Sequence, residues 1–134
     1  MKAYNEKIVG AFIGIFCGLL GTLLGGWDLP LKILIVFVVL DFFTGFLTGI
    51  KQKNINSEVM FWGGVRKMII AIAVIIGNCC DVLAQNPAPV IRAMVLYYFI
   101  AREGISLVEN CGSLGVAMPK SITKFFKQFN KEGD

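Results

Sequence analysis

The sequence predicts an all-α integral membrane protein with about four transmembrane helices and a C-terminal amphipathic basic helix. Three observations carry this. Of the 134 residues, 56% are hydrophobic and only 16% are charged, against about one quarter charged in an ordinary soluble domain. The apolar residues gather in runs long enough to cross about 30 Å of hydrocarbon, which takes about 20 residues of helix. Lysine and arginine fall between those runs in a pattern that would orient them in a membrane. A soluble chain this short must cover a large surface with polar groups, and there are too few here. Lipid is the medium that accommodates the excess.

The first expected span, 8–27, contains no charge until its end. Its apolar core is too long for a secretory signal, and no small-x-small cleavage site leads into a soluble domain. The second, 31–50, is interrupted by Lys32 near its start and Asp41 at its centre. A polar linker, 51–67, follows, with Ser57 as a candidate N-cap for a helix running into the third span. That span, 68–84, carries Asn78 and Asp81, and the fourth, 90–108, carries Arg92, Arg102 and Glu103. The turns Gly25-Gly26-Trp27-Asp28-Leu29-Pro30 and Gln85-Asn86-Pro87-Ala88-Pro89 hold the breaker residues that separate neighbouring helices. No ten-residue segments of period-two alternation suggest a barrel. The whole chain, 1–134, is expected to be one membrane domain.

Charge sets the orientation. Of the 13 basic residues, Lys2, Lys7, Lys51, Lys53, Arg66, Lys67, Lys120, Lys124, Lys127 and Lys131 all belong on one side of a four-span protein. Lys32 and Arg92 lie near the other side. The positive-inside rule then places both termini in the cytoplasm. Beyond Pro119 the tail, 119–131, alternates Ile122, Phe125, Phe126 and Phe129 with Lys120, Lys124, Lys127 and Lys131 at helical spacing. Such a helix suits an anionic membrane surface, or packs against the cytoplasmic ends of the bundle.

Two sets of residues inside the spans are functional candidates. Gly10, Gly14, Gly18, Gly21 and Gly25 in the first helix, with Gly45 and Gly49 in the second, would let helices approach closely in lipid. That approach serves either self-association or packing within a protomer. Asp41, Thr44, Gly45, Thr48 and Gly49 form a polar stripe opposite a wall of Ile, Val, Leu and Phe. A carboxylate in lipid costs several kcal/mol, so the stripe must meet protein or water. Asp41 lies about 15 Å below the outer end of its helix and Arg102 about 18 Å below that of the fourth. Asp81 and Arg92 are level near the outer face. The expected charge pairs, within or between protomers, are therefore Asp41–Arg102 and Asp81–Arg92, with Glu103 unassigned.

Catalysis is not expected. The chain has no histidine, no nucleophile–base pair, no phosphate loop and no metal constellation, so no cofactor and no metal are anticipated. Cys17, Cys79, Cys80 and Cys111 lack disulfide or metal spacing and read as small apolar residues. The basic clusters point to the membrane, not to nucleic acid.

From about Leu31 to Lys120 the sequence resembles the phage lysis and toxin-secretion holins of Gram-positive bacteria and their phages. The resemblance rests on Asp41-x-x-Thr44-Gly45, Gly63-Gly64-x-Arg66-Lys67 and Asp81. It continues through Arg92, Tyr97-Tyr98-Phe99-Ile100-x-x-Glu103-Gly104-x-Ser106-x-x-Glu109-Asn110 and Leu114-Gly115-x-x-x-Pro119. A typical member has Asn where Arg102 stands, so an Asp41–Arg102 pair would be particular to this sequence. The resemblance implies a homo-oligomer in the bacterial cytoplasmic membrane that opens lesions, with a muralytic endolysin or a secreted toxin as functional partner. The competing reading is a small ion- or proton-coupled transporter or channel using Asp41 or Glu103; a non-conducting scaffold is a third.

Overall fold

The computed structural model describes residues 1–130, so Lys131 lies outside the described residues. Five helices account for nearly all of them: α1 (Lys2–Leu23), α2 (Leu29–Lys51), α3 (Ser57–Leu83), α4 (Val90–Ser113) and α5 (Lys120–Asn130). Among the described residues, α1, α2 and α3 are long and apolar enough to cross a membrane. Helix α4 has the length but carries Arg92, Arg102, Glu103 and Glu109.

Local chemistry fixes the helix ends. Asp28 caps α2 by accepting the Leu31 amide at 3.3 Å, and Pro30 occupies the first turn, where a missing N–H costs nothing. The cap of α3 is Asn56, whose side chain accepts the Glu58 amide at 2.9 Å; Ser57, the expected cap, is instead the first helical residue. The polar linker is thus mostly helix, with only residues 52–56 outside it. Between α1 and α2, Gly25 and Gly26 have φ of 84° and 111°, values that side chains rarely tolerate. The chain reverses there, and Trp27 folds back over Gly21, donating its indole N–H to the Cys17 carbonyl at 3.2 Å.

Helix α4 is the centre of the molecule, packed against α2, α3 and α5, whereas α1 touches only α3. The buried core is small: Leu24, Leu31, Leu34, Ile70, Val74 and Leu96. Most large apolar side chains face outward, along the whole of α1 and the outer faces of α2 and α3. A soluble monomer rarely exposes apolar patches of this extent. Nothing packs on Gly10, Gly14 or Gly18, while Gly21 and Gly25 are closed over by Trp27 and Arg92.

The tail helix α5 lies along the bundle. Phe126 sits directly over Gly104 of α4 and meets Phe37 of α2 edge-on at 5.8 Å; Phe129 stacks on Tyr97 at 6.3 Å. Later residues of α5 meet earlier residues of α4, so the two run antiparallel. The structure therefore seats Phe126 against helices and lays Phe129 on Tyr97, while Ile122 and Phe125 stay exposed. The notch left by Gly104 explains why, since any side chain there would fill the space of the Phe126 ring.

Candidate functional site

Two clusters of polar side chains lie at opposite ends of α4. At its N-terminal end, Arg92 is 2% exposed. Its guanidinium grips Asp28 with two hydrogen bonds, 2.6 and 3.0 Å, and donates to the main-chain carbonyls of Leu24 at 2.5 Å and Gly26 at 3.0 Å. The α1–α2 turn is thereby clasped to α4. This hydrogen-bonded guanidinium holds the Asp28 carboxyl below the ordinary carboxylate value. Asp81, from α3, accepts the amides of Ile91 and Arg92 at 3.0 and 2.8 Å and the Asn86 side chain at 2.7 Å. Helix α4 has no side-chain cap of its own, so Asp81 satisfies the exposed N–H groups of its first turn. Asn78 donates to the Leu23 carbonyl at 3.0 Å, completing the join.

The expected Asp81–Arg92 charge pair is corrected accordingly. The two residues meet, but through the carboxylate and the main-chain amide, and the guanidinium turns to Asp28. Depth alone placed the residues correctly; it could not tell a side chain from the backbone donor beside it.

The second cluster joins α2, α3 and α4. The Lys67 ammonium lies between two buried carboxylates, Asp41 at 2.5 Å and Glu103. Asp41 is 8% exposed and Glu103 5%. Asn110 donates to the Asp41 carboxylate at 3.1 Å and to Thr44 Oγ1 at 3.1 Å. Thr44 and Thr48 donate to their own helix, at Leu40 and Thr44 carbonyls. The polar stripe of α2 thus faces the side chains of α3 and α4. Gly45 opens toward Asn110 and Gly49 toward Asn54 and Ile55. Above this cluster opens a cavity of about 760 Å³ between α2, α3 and α4, which Arg66 and Arg102 also line.

The expected Asp41–Arg102 pair is not formed within the chain. The two are at similar depth, but neighbouring helix residues point about 100° apart. Glu103 takes the inward direction and Arg102 the exposed one. Lys67 supplies the charge instead. It lies ten residues beyond Ser57 on a helix that begins earlier than the apolar run does, and ending the linker at Lys67 concealed it. Asn110 stands two turns after Glu103 on the same face of α4, a spacing that could have been found. Asp28, in the turn at the level of Arg92, carried a similar signal.

One ammonium holds two buried carboxylates that come from different helices. Such a cluster can exchange partners when its helices move. Among the described residues no group of His, Cys, Asp and Glu could hold a metal ion.

Comparison with known proteins identifies the architecture. A model of the bacteriophage holin family matches residues 18–131. An uncharacterized protein of Clostridium perfringens (strain 13 / Type A) is 36% identical over 121 residues, covering 90% of each chain. A probable holin of Bacillus phage phi105 is 33% identical over 104 residues, covering 78% of this chain and 76% of its own. An uncharacterized protein of Bacillus subtilis (strain 168) is 34% identical over 102 residues, 76% of this chain and 72% of its own. No solved structure matches. The match runs from the last turns of α1 through α5 and includes both polar clusters, and family membership points to a non-enzymatic role. With its outward-facing apolar helices, the chain is a membrane protein, and it belongs to the bacteriophage holin family.

Proposed function

We propose that the protein is a holin that spans the bacterial cytoplasmic membrane four times, with both termini in the cytoplasm. It accumulates as a homo-oligomer and opens lesions through which a muralytic endolysin or a toxin leaves the cytoplasm. Helix α4 serves as the fourth span. Its charge content argues against independent insertion, but Arg92 and Glu103 are buried against partners from other elements. The observation that carries the reading is the Asp41–Lys67–Glu103 cluster beneath an open cavity. It couples three helices by a single ammonium, and a rearrangement between protomers can break it and hydrate the stripe on α2. Holding the cluster together favours the closed protomer; parting it accompanies opening. The unoccupied Gly10, Gly14 and Gly18 face of α1 offers a close helix–helix contact between protomers.

The test is induced expression in a bacterium, with and without a cytoplasmic muralytic enzyme, while membrane potential is recorded. A holin collapses the potential abruptly, and lysis follows only with the enzyme. Asp41→Asn, at equal expression, shifts the time of collapse; identical timing would remove the cluster from the trigger. A second reading is favoured by the buried carboxylates at the cavity: ion- or proton-coupled transport. It requires continued growth with an intact potential after insertion has been verified.

A further inference from the structure

We propose that the cavity between α2 and α3 binds the headgroup phosphate of an anionic phospholipid from the cytoplasmic leaflet, through Arg66 and Arg102. The inference rests on the four-span reading for the choice of leaflet, and not on lesion formation.

The charge balance of the cavity is the first ground. Five charged side chains line it: Asp41, Arg66, Lys67, Arg102 and Glu103. Both carboxylates are bound to Lys67. Arg66 and Arg102 form no ion pair among the described residues. One positive charge stays uncompensated, and the two guanidinium groups open to the outside carry it.

Depth is the second ground. On the expected spans Arg66 stands two residues before the third, and Arg102 six residues, about 9 Å, inside the fourth. An arginine at that depth without a counter-ion is costly, and its side chain reaches toward the headgroup level to relieve the cost. An incoming anion does so more completely, because a guanidinium fork matches a phosphate with two hydrogen bonds.

The third ground is the chemistry of the walls. The cavity is also lined by Phe42, Phe46, Ile69 and Phe99 and by Asn54 and Asn56, and on the same count of the spans Phe42 and Phe99 lie deeper than Arg102. A polar, cationic entrance over an apolar wall suits one phosphate joined to hydrocarbon. The weak contact between α2 and α3 leaves the side of the cavity open for a chain to lie in.

The test uses the full-length protein in phosphatidylcholine nanodiscs carrying a trace of spin-labelled phosphatidylglycerol or of spin-labelled phosphatidylcholine. The immobilised fraction of each probe is read by electron paramagnetic resonance. The wild type retains the anionic probe over the neutral one by about fivefold for each arginine engaged. Arg66→Gln with Arg102→Gln brings the two probes level, while Lys124→Gln with Lys127→Gln keeps most of the preference. Should the double arginine variant fail to insert, Arg66→Gln alone, at an exposed site nearer the cytoplasm, is expected to lose about half of the preference on a logarithmic scale. Equal retention of both probes by the wild type would overturn the proposal, as would a preference that survives loss of both arginines. So would a preference lost only in the lysine variant, which assigns the lipid to α5. Displacement of the probe by excess inorganic phosphate would overturn it too, making the site one for a free anion. None of these outcomes depends on lysis, so a protein that binds lipid but fails to lyse cells contradicts the holin reading alone.

Discussion

The two polar clusters on α4 hold similar numbers of charged groups and solve different problems. At the N-terminal end, each strong donor of Arg92 meets an acceptor fixed by a turn or a helix end, and Asp81 meets main-chain amides that cannot move away. Farther along α4, one flexible lysine serves two carboxylates from different helices, beside an open cavity. The first cluster is anchored on main-chain groups and clasps the α1–α2 turn to the start of α4. The second hangs two carboxylates on one mobile ammonium and joins helices that otherwise scarcely touch, since α2 and α3 share few contacts. A cluster anchored on main-chain groups fixes a shape; one held by a single flexible side chain can change partners.

The largest effect is expected from Arg92→Met. It removes four hydrogen bonds from a side chain that is 2% exposed, leaving the buried Leu24 carbonyl, the part-buried Gly26 carbonyl and the half-exposed Asp28 without their donor; at about 1 kcal/mol for each bond the loss is about 3–5 kcal/mol. Unfolding in mixed micelles, followed by helicity, should show that loss, with little inserted protein in cells. Lys67→Met should cost less, about 2–3 kcal/mol, because nearby water can reach the freed carboxylates. Adding Glu103→Gln should restore part of the loss, whereas no single neutral substitution should rescue Arg92→Met. Equal behaviour of the two variants would erase the distinction between the clusters.

Gly104→Val should act next, at about 1–3 kcal/mol, the usual cost of overpacking. Its new methyl groups collide with the Phe126 ring, so α5 should lift from α4 and become cleavable by trypsin at Lys124 and Lys127. Phe126→Ala in the same chain should cancel the collision energy without reseating α5.

The smallest effect concerns pH at the Asp28–Arg92 clasp. The Asp28 carboxyl is held below its ordinary value of 3.8. The clasp therefore contributes stability above that value, and the contribution fades as pH falls through the lower, folded-state value. Asp28→Asn keeps a competent helix cap but removes the charge. Its stability difference from wild type should be constant above about pH 5 and shrink below 3.8.

Much of the architecture is legible in the sequence because membrane helices announce themselves by composition. Apolar runs, breaker residues and basic loops were enough for α1, α2 and α3. The depths of Asp41, Asp81, Arg92 and Arg102 also follow from counting residues. Direction around the helix does not, since it depends on which face each helix turns to its neighbours. Arg102 and Glu103 differ by one residue and a third of a turn, and that decides which one is buried. Lys67 was hidden because a helix can extend beyond its apolar run. The seat of α5 was illegible for another reason: an aromatic face with lysines opposite suits a lipid surface and a glycine notch equally well, and only Gly104 under Phe126 distinguishes them.

The position of α4 also bears on how the protein is made. This helix is too charged to leave the translocation machinery for lipid unaided. Yet the groups that neutralise it, Asp28 in the first turn, Lys67 and Asp81 in α3, all precede it in the chain. All three are therefore made before α4 is. On the four-span reading proposed above, biogenesis is ordered: the early helices enter by their own greasiness and wait as a template, and α4 is admitted only where that template is complete. A nascent chain stalled after Leu83 should sit in the membrane, whereas α4 transplanted behind an unrelated anchor should be passed through it.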